Sequence, residues 1–184
     1  MRQVNYFAVI HKYLTPDSFA YAIYLPHVAA VTFKALRVAR RLGLSVEQLR
    51  FIEEAAMLHD IGVVKVAAEW MGCTGKLPYL SHLVEGQRIL EAEGLPRHAR
   101  VAARHVGLGI TKKEIVTLGL PLPPRDIFPE TIEEQVISWA DLFFSKVQGE
   151  LWREKTPDEV RQHVAKYGER ATRTFDEWLM RFGD

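Results

Sequence analysis

Six residues of metal-binding type stand along the chain in the order His27, His59, Asp60, His82, His105 and Asp141. Four imidazoles and two carboxylates form a nitrogen and oxygen donor set suited to Mn, Fe, Co, Ni or Zn, whereas Mg and Ca favour oxygen alone. Six donors are enough for two such divalent transition-metal ions, with the Asp60 carboxylate able to bridge them. Ions about 3.5 to 4 Å apart can share a hydroxide and hold both the attacking and the leaving oxygen of a displacement at phosphorus. These residues can work together only if the fold brings five separate stretches of chain to one buried point.

Their local patterns send them inward. Leu49, Ile52, Ala55 and Ala56 define an apolar helix face, and His59 follows the last three by seven, four and three residues. Asp60, four after Ala56, can aim at a neighbouring point. Asp141 sits four after Ile137 and three before Phe144, on a face that also holds Val136, Ala140, Phe143 and Val147. A buried carboxylate must pair, neutralise or bind a metal, so Asp141 is either a ligand or the partner of a buried arginine. His105 lies on the Val101 and Ala102 side of its helix, ahead of Gly107 and Gly109, and His82 opens a helix running through Val84, Gly86 and Ile89. His98, next to Arg97, and His163, among charged residues, are read as ordinary histidines, and His11 as a surface one.

The elements that must carry these residues are helical. Apolar residues recur at three and four spacing, and strand-like alternation is nearly absent. Helices are expected near residues 25 to 42, 45 to 61, 80 to 93, 96 to 106, 111 to 118, 131 to 148 and 156 to 181. Four start at capping boxes, Ser45 with Gln48, Thr111 with Glu114, Thr131 with Glu134 and Thr156 with Glu159. Gly43 and Gly94 read as stops, and the proline-rich stretch from Leu118 to Pro129 as an irregular connection. The stripe Val160, Val164, Tyr167, Ala171, Phe175, Trp178 and Phe182 makes the last helix a packing element.

With 184 residues, 48% hydrophobic and 26% charged, the chain suits one globular domain spanning residues 1 to 184. Cys73 is the only cysteine, which rules out an intramolecular disulfide and a thiolate-rich metal site and points to a reducing, cytoplasmic setting. His11 and Lys12 interrupt the first apolar run, so neither a leader nor a membrane contact is expected. The net charge of +1 gives no global attraction to nucleic acid.

The order H, HD, H, H, D, with AAMLHDIG around the central pair and SWAD at the last aspartate, resembles the HD-domain (HDIG) superfamily of metal-dependent phosphohydrolases. ARHVGLGITKKEIVTLGLP and FPETIEEQVISWAD further resemble a small HDIG subgroup. The resemblance covers about residues 20 to 148, and the helix near 156 to 181 packs outside it. It implies an all-α helical bundle with a metal site at its centre. It also implies that His27, His59, Asp60 and Asp141 share one metal set, and that His82 and His105 belong to a second ion. The implied activity is cleavage of a phosphomonoester or phosphodiester through a metal-bridging hydroxide, with His59 and Asp60 at the catalytic centre. The substrate would be a small phosphorylated molecule such as a nucleotide. Many HDIG proteins carry a basic residue directly after the glycine; here Val63 and Val64 follow Gly62, and Lys65 comes later. Lys65, Arg104 and Lys112, each near a ligand in sequence, are the candidate phosphate contacts. The same donor pattern also serves mixed-valent di-iron oxygenases similar to myo-inositol oxygenase, and a metal-containing ligand-binding or regulatory module is a third reading.

Overall fold

In a computed structural model that describes residues 3–183, side-chain caps start most of the helices. Helix α1 (Tyr6–Tyr13) is capped by Asn5 and α2 (Phe19–Arg41) by Ser18. All four capping boxes form, at the starts of α3 (Val46–Leu58), α6 (Lys112–Thr117), α7 (Ile132–Asp141) and α8 (Pro157–Ala165). The remaining helices are α4 (His82–Ala92), α5 (Pro96–Arg104) and α9 (Glu169–Phe182). Two-residue strands β1 (Ala67–Ala68) and β2 (Cys73–Thr74) pair antiparallel between α3 and α4, flanked by 3-10 turns at Ile61–Lys65, Glu69–Met71 and Tyr79–Ser81. The fold is the all-α bundle expected, and the stretch from Leu118 to Pro129 is irregular as read.

Four boundaries differ from the sequence reading. Helix α1 lies outside the expected set, and α2 begins at Phe19 rather than near residue 25 because the Ser18 hydroxyl accepts from the Tyr21 amide. Pro26 stands inside α2, where it has no amide to donate and the helix continues through it. The helix expected to run to 148 stops at Asp141, after which the Phe143 and Phe144 amides bond three residues back, to Ala140 and Asp141. The last expected helix is two, because Gly168 adopts φ 94, a left-handed conformation open to glycine. Its stripe is split accordingly: Val160, Val164, Ala171, Phe175 and Phe182 are buried, Trp178 packs at their edge, and Tyr167 is exposed at the break.

Among the described residues two large apolar cores form, beside a small cluster of Leu83, Ile115, Leu122 and Ile127. One joins α2, α3 and α7 to the C-terminal helices around Trp139, Phe143, Phe175 and Phe182; the other joins α1, the start of α2 and the Ile61–Thr74 segment around Tyr24, Leu58 and Met71. Helix α2 packs on α3 and α7, and α4 packs on α5 and the turn after Asp60. By length and composition α2 is the one described helix apolar enough to cross a membrane, but half of that window is buried within the fold, including His27, so core packing accounts for its composition.

Candidate metal centre

Each candidate donor is placed by the end or the buried face of a helix. His27 lies on the inner face of α2, His59 caps the C-terminal end of α3, Asp60 opens the next turn, and His82 is the first residue of α4. His105 caps the end of α5, and Asp141 ends α7. Gly62 permits the close approach of α4, since a Cβ there would lie 2.0 Å from the His82 carbonyl oxygen and 2.4 Å from the Gly86 nitrogen. All six side chains meet at one place, and only Asp141 among them is substantially exposed, at 18%.

Asp60 is the shared member. Its Oδ2 lies 3.2 Å from His27 Nε2 and 3.5 Å from His59 Nε2, while Asp141 Oδ1 lies 3.0 Å and 3.5 Å from the same two nitrogens. Its Oδ1 lies 3.5 Å from His82 Nε2 and 3.3 Å from His105 Nε2, which are 3.2 Å from each other. Donors about 2.0 to 2.2 Å from one ion stand about 3.0 to 3.5 Å apart at octahedral to tetrahedral angles, so both sets have spacings that could hold a metal. His27 Nε2, His59 Nε2, Asp60 Oδ1 and Asp141 Oδ1 are buried without a hydrogen-bond partner, which is costly unless a cation satisfies them.

The imidazoles are aimed from behind. His59 Nδ1 pairs with the Ala56 carbonyl at 2.6 Å, His82 Nδ1 with that of Tyr79 at 2.6 Å, and His105 Nδ1 with that of Ala102 at 2.8 Å. With Nδ1–H donating, each Nε2 is left as a lone pair facing the centre, the arrangement that orients metal-binding histidines. Burial pushes His82 down to about 4 against the pull of Asp60, which keeps its imidazole neutral.

Sequence reasoning missed one group. Lys146 Nζ lies 2.7 Å from Asp60 Oδ2, with its side chain 13% exposed. Burial by itself would raise the Asp60 and Asp141 carboxyls, but the Lys146 ammonium and the histidines outweigh it and hold both well below the usual carboxylate range. Burial by itself would lower Lys146, and Asp60, Tyr79 and Asp141 more than reverse that. The buried cation considered for Asp141 therefore exists, but as a lysine paired most closely with Asp60. A helix running to 148 would have turned residue 146 about 140° away from residue 141; the helix end at Asp141 brings it back.

The expected phosphate contacts are less central. Lys65 and Lys112 are exposed, and the Lys112 backbone amide is held by Asp126. Arg104, beside His105, is drawn to Glu130 and Glu134. Val63 is buried in the second core and Val64 packs against it, which accounts for apolar residues after Gly62. His98 is buried in a pair with Glu54 at 3.3 Å, away from the centre, while His163 and His11 are exposed.

A family model described as HD domain matches residues 24–144. The chain is 31% identical over 148 residues to a tRNA (cytidine(56)-2'-O)-methyltransferase of Thermoplasma volcanium, covering 76% of this chain and 39% of that protein. It is 34% identical to a protein of the same name from Picrophilus torridus, covering 62% of this chain and 29% of that one. The matched stretch thus spans well under half of either methyltransferase. An uncharacterized protein of Methanocaldococcus jannaschii is 34% identical, with 62% of each chain covered. In three dimensions the fold is similar to the HD domain of the Listeria monocytogenes phosphodiesterase PgpH, with a TM-score of 0.56 at 15% identity, covering 94% of this chain and 87% of that one.

Proposed function

The chain belongs to the HD-domain family, and on that premise we propose that it is a metal-dependent phosphohydrolase acting on a phosphate ester through two divalent transition ions. The observation that carries this reading is the Asp60 carboxylate, each of whose oxygens faces its own pair of histidine nitrogens at 3.2 to 3.5 Å. His27, His59, Asp60 and Asp141 would hold one ion, and Asp60, His82 and His105 the other. Such ions supply positive charge to the phosphoryl oxygens and lower the pKa of a coordinated water. The protein's part would be to keep the His82 imidazole neutral, the carboxylates charged and the donors buried, with Asp141 and Lys146 the partly exposed groups of the centre.

A small phosphorylated molecule such as a nucleotide suits this arrangement. The relatives named as tRNA methyltransferases favour a second reading of the substrate, a phosphate carried on RNA. Metal analysis of anaerobically reconstituted protein should find two ions per chain, falling toward one in His82→Ala and in His105→Ala. The loaded protein should then hydrolyse members of a panel of nucleotides, generic phosphate esters and RNA bearing a terminal phosphate. One ion per fully reconstituted chain would overturn the two-ion arrangement, and a mixed-valent di-iron spectrum without hydrolysis would move the assignment to an oxygenase.

A further inference from the structure

Lys146 occupies a place that costs the metal centre something. Its ammonium lies 2.7 Å from Asp60 Oδ2, the oxygen that His27 and His59 also approach. Tyr79, whose phenol interacts with the same ammonium, carries the carbonyl that orients His82. A lysine here touches both donor sets, through Asp60 directly and through Tyr79 indirectly. If the position served only stability, an apolar side chain of similar volume would do as well or better, because a buried ion pair seldom repays its desolvation. A cation that must share a carboxylate oxygen with a metal ion repels that ion. Both can remain if an anion stands beside them, and the side chain, 13% exposed, is not sealed from one.

We propose that Lys146 is a substrate-binding residue of this site, contacting the phosphoryl group and favouring a doubly charged phosphomonoester over a singly charged diester. The inference rests on the hydrolase reading and narrows it. Two carboxylates and one ammonium leave the residues with a single net negative charge; two divalent ions convert that to an excess of about three positive charges. A monoester, which carries about −1.5 to −2 at neutral pH, offsets more of that excess than a diester does. Removal of the ammonium lowers the excess and narrows the preference. No other cation expected from the sequence lies so close: Lys65 and Lys112 are exposed, and Arg104 is drawn to two glutamates.

The test is calorimetric titration of inorganic phosphate and of dimethyl phosphate into Mn-loaded wild type, K146M and K146R at pH 8, with metal content measured on every sample. K146M should keep both ions and lose about tenfold or more in affinity for phosphate, the size of one charge-assisted contact. Its affinity for dimethyl phosphate should change much less, and K146R should recover most of the phosphate binding. Without its competitor, metal-free K146M should also take up Mn more tightly than wild type. If K146M does not fold, K146Q takes its place, keeping a hydrogen-bond donor for Asp60 without the charge. Unchanged phosphate affinity at full metal content, equal losses for both anions, or a metal-loaded wild type that binds neither anion would overturn the proposal and leave the metal reading standing. Failure of wild type to take up metal would overturn both.

Discussion

At Asp60 one carboxylate meets four imidazoles and an ammonium, whereas Asp141 meets two imidazoles and feels Lys146 only at longer range. The two aspartates should therefore respond differently to the same isosteric change. Asp60→Asn leaves Lys146 without its direct partner, and an uncompensated buried charge typically costs about 3 to 5 kcal/mol. Asp141→Asn keeps the direct Lys146–Asp60 pair and gives up a candidate metal donor and a longer-range attraction to Lys146. In chelator, Asp60→Asn should melt well below wild type and Asp141→Asn close to it, yet Asp141→Asn should gain little stability when metal is added. An Asp141→Asn protein that is clearly less stable than metal-free wild type would mean that this carboxylate mainly neutralises the lysine.

Between elements, the decisive contact is the one between the turn after Asp60 and the start of α4. Gly62 faces the His82 carbonyl and the backbone of Gly86 so closely that no Cβ fits, and Gly86 in turn sits 3.1 Å from Ala102 on α5 by the same measure. Turn, α4 and α5 form one stack, and that stack sets the separation of Asp60, His82 and His105. Gly62→Ala must push α4 outward, because its neighbours are backbone atoms that no rotamer change can move. We expect a loss of about 1 to 3 kcal/mol, the usual cost of overpacking, and a metal content that falls toward one ion per chain as His82 is displaced. Denaturant titration in chelator and metal analysis after reconstitution check the two parts. Full occupancy with unchanged stability would show that α4 is not the element that positions the second donor set.

For the molecule as a whole, holding these groups in a buried centre ties stability to pH. His82 is protonated only below about 4 in the folded protein, against about 6.5 when unfolded, because burial disfavours the charged form. Between those values the unfolded chain binds more protons, so the metal-free protein must lose stability as pH falls through that window, by at most about 3 kcal/mol from this group. The carboxylates, held below their usual range, add a further loss at lower pH. His82→Gln should flatten the first part of the profile. Metal binds the folded state and adds about 2.7 kcal/mol when free metal is one hundred times its dissociation constant, a gain that shrinks as pH falls because the ligands must be deprotonated. Urea melts at pH 7 and pH 5, with chelator and with Mn, measure all three effects; a metal-free wild type equally stable at both values would contradict them.

The sequence alone determined the parts whose signals are local. The capping boxes at Ser45, Thr111, Thr131 and Thr156 formed as written, because a cap depends on four consecutive residues. The inward aim of His59, Asp60, His105 and Asp141 was legible because apolar neighbours three and four residues away fix which way a helical side chain faces, whereas His27 was singled out only by the order of residues that resembles the family. Only the tertiary structure decided how those faces meet: that Asp60 is shared between two donor sets, that a glycine contact sets the reach of His82, and that Lys146 enters the centre. Lys146 was hidden for a physical reason. Its position depends on α7 ending at Asp141, after which the chain turns and the Lys155 amide bonds to the Phe143 carbonyl. The groups Lys146 meets, Asp60 and Tyr79, lie on distant stretches of chain, so its burial beside Asp60 could be read only once they were packed together.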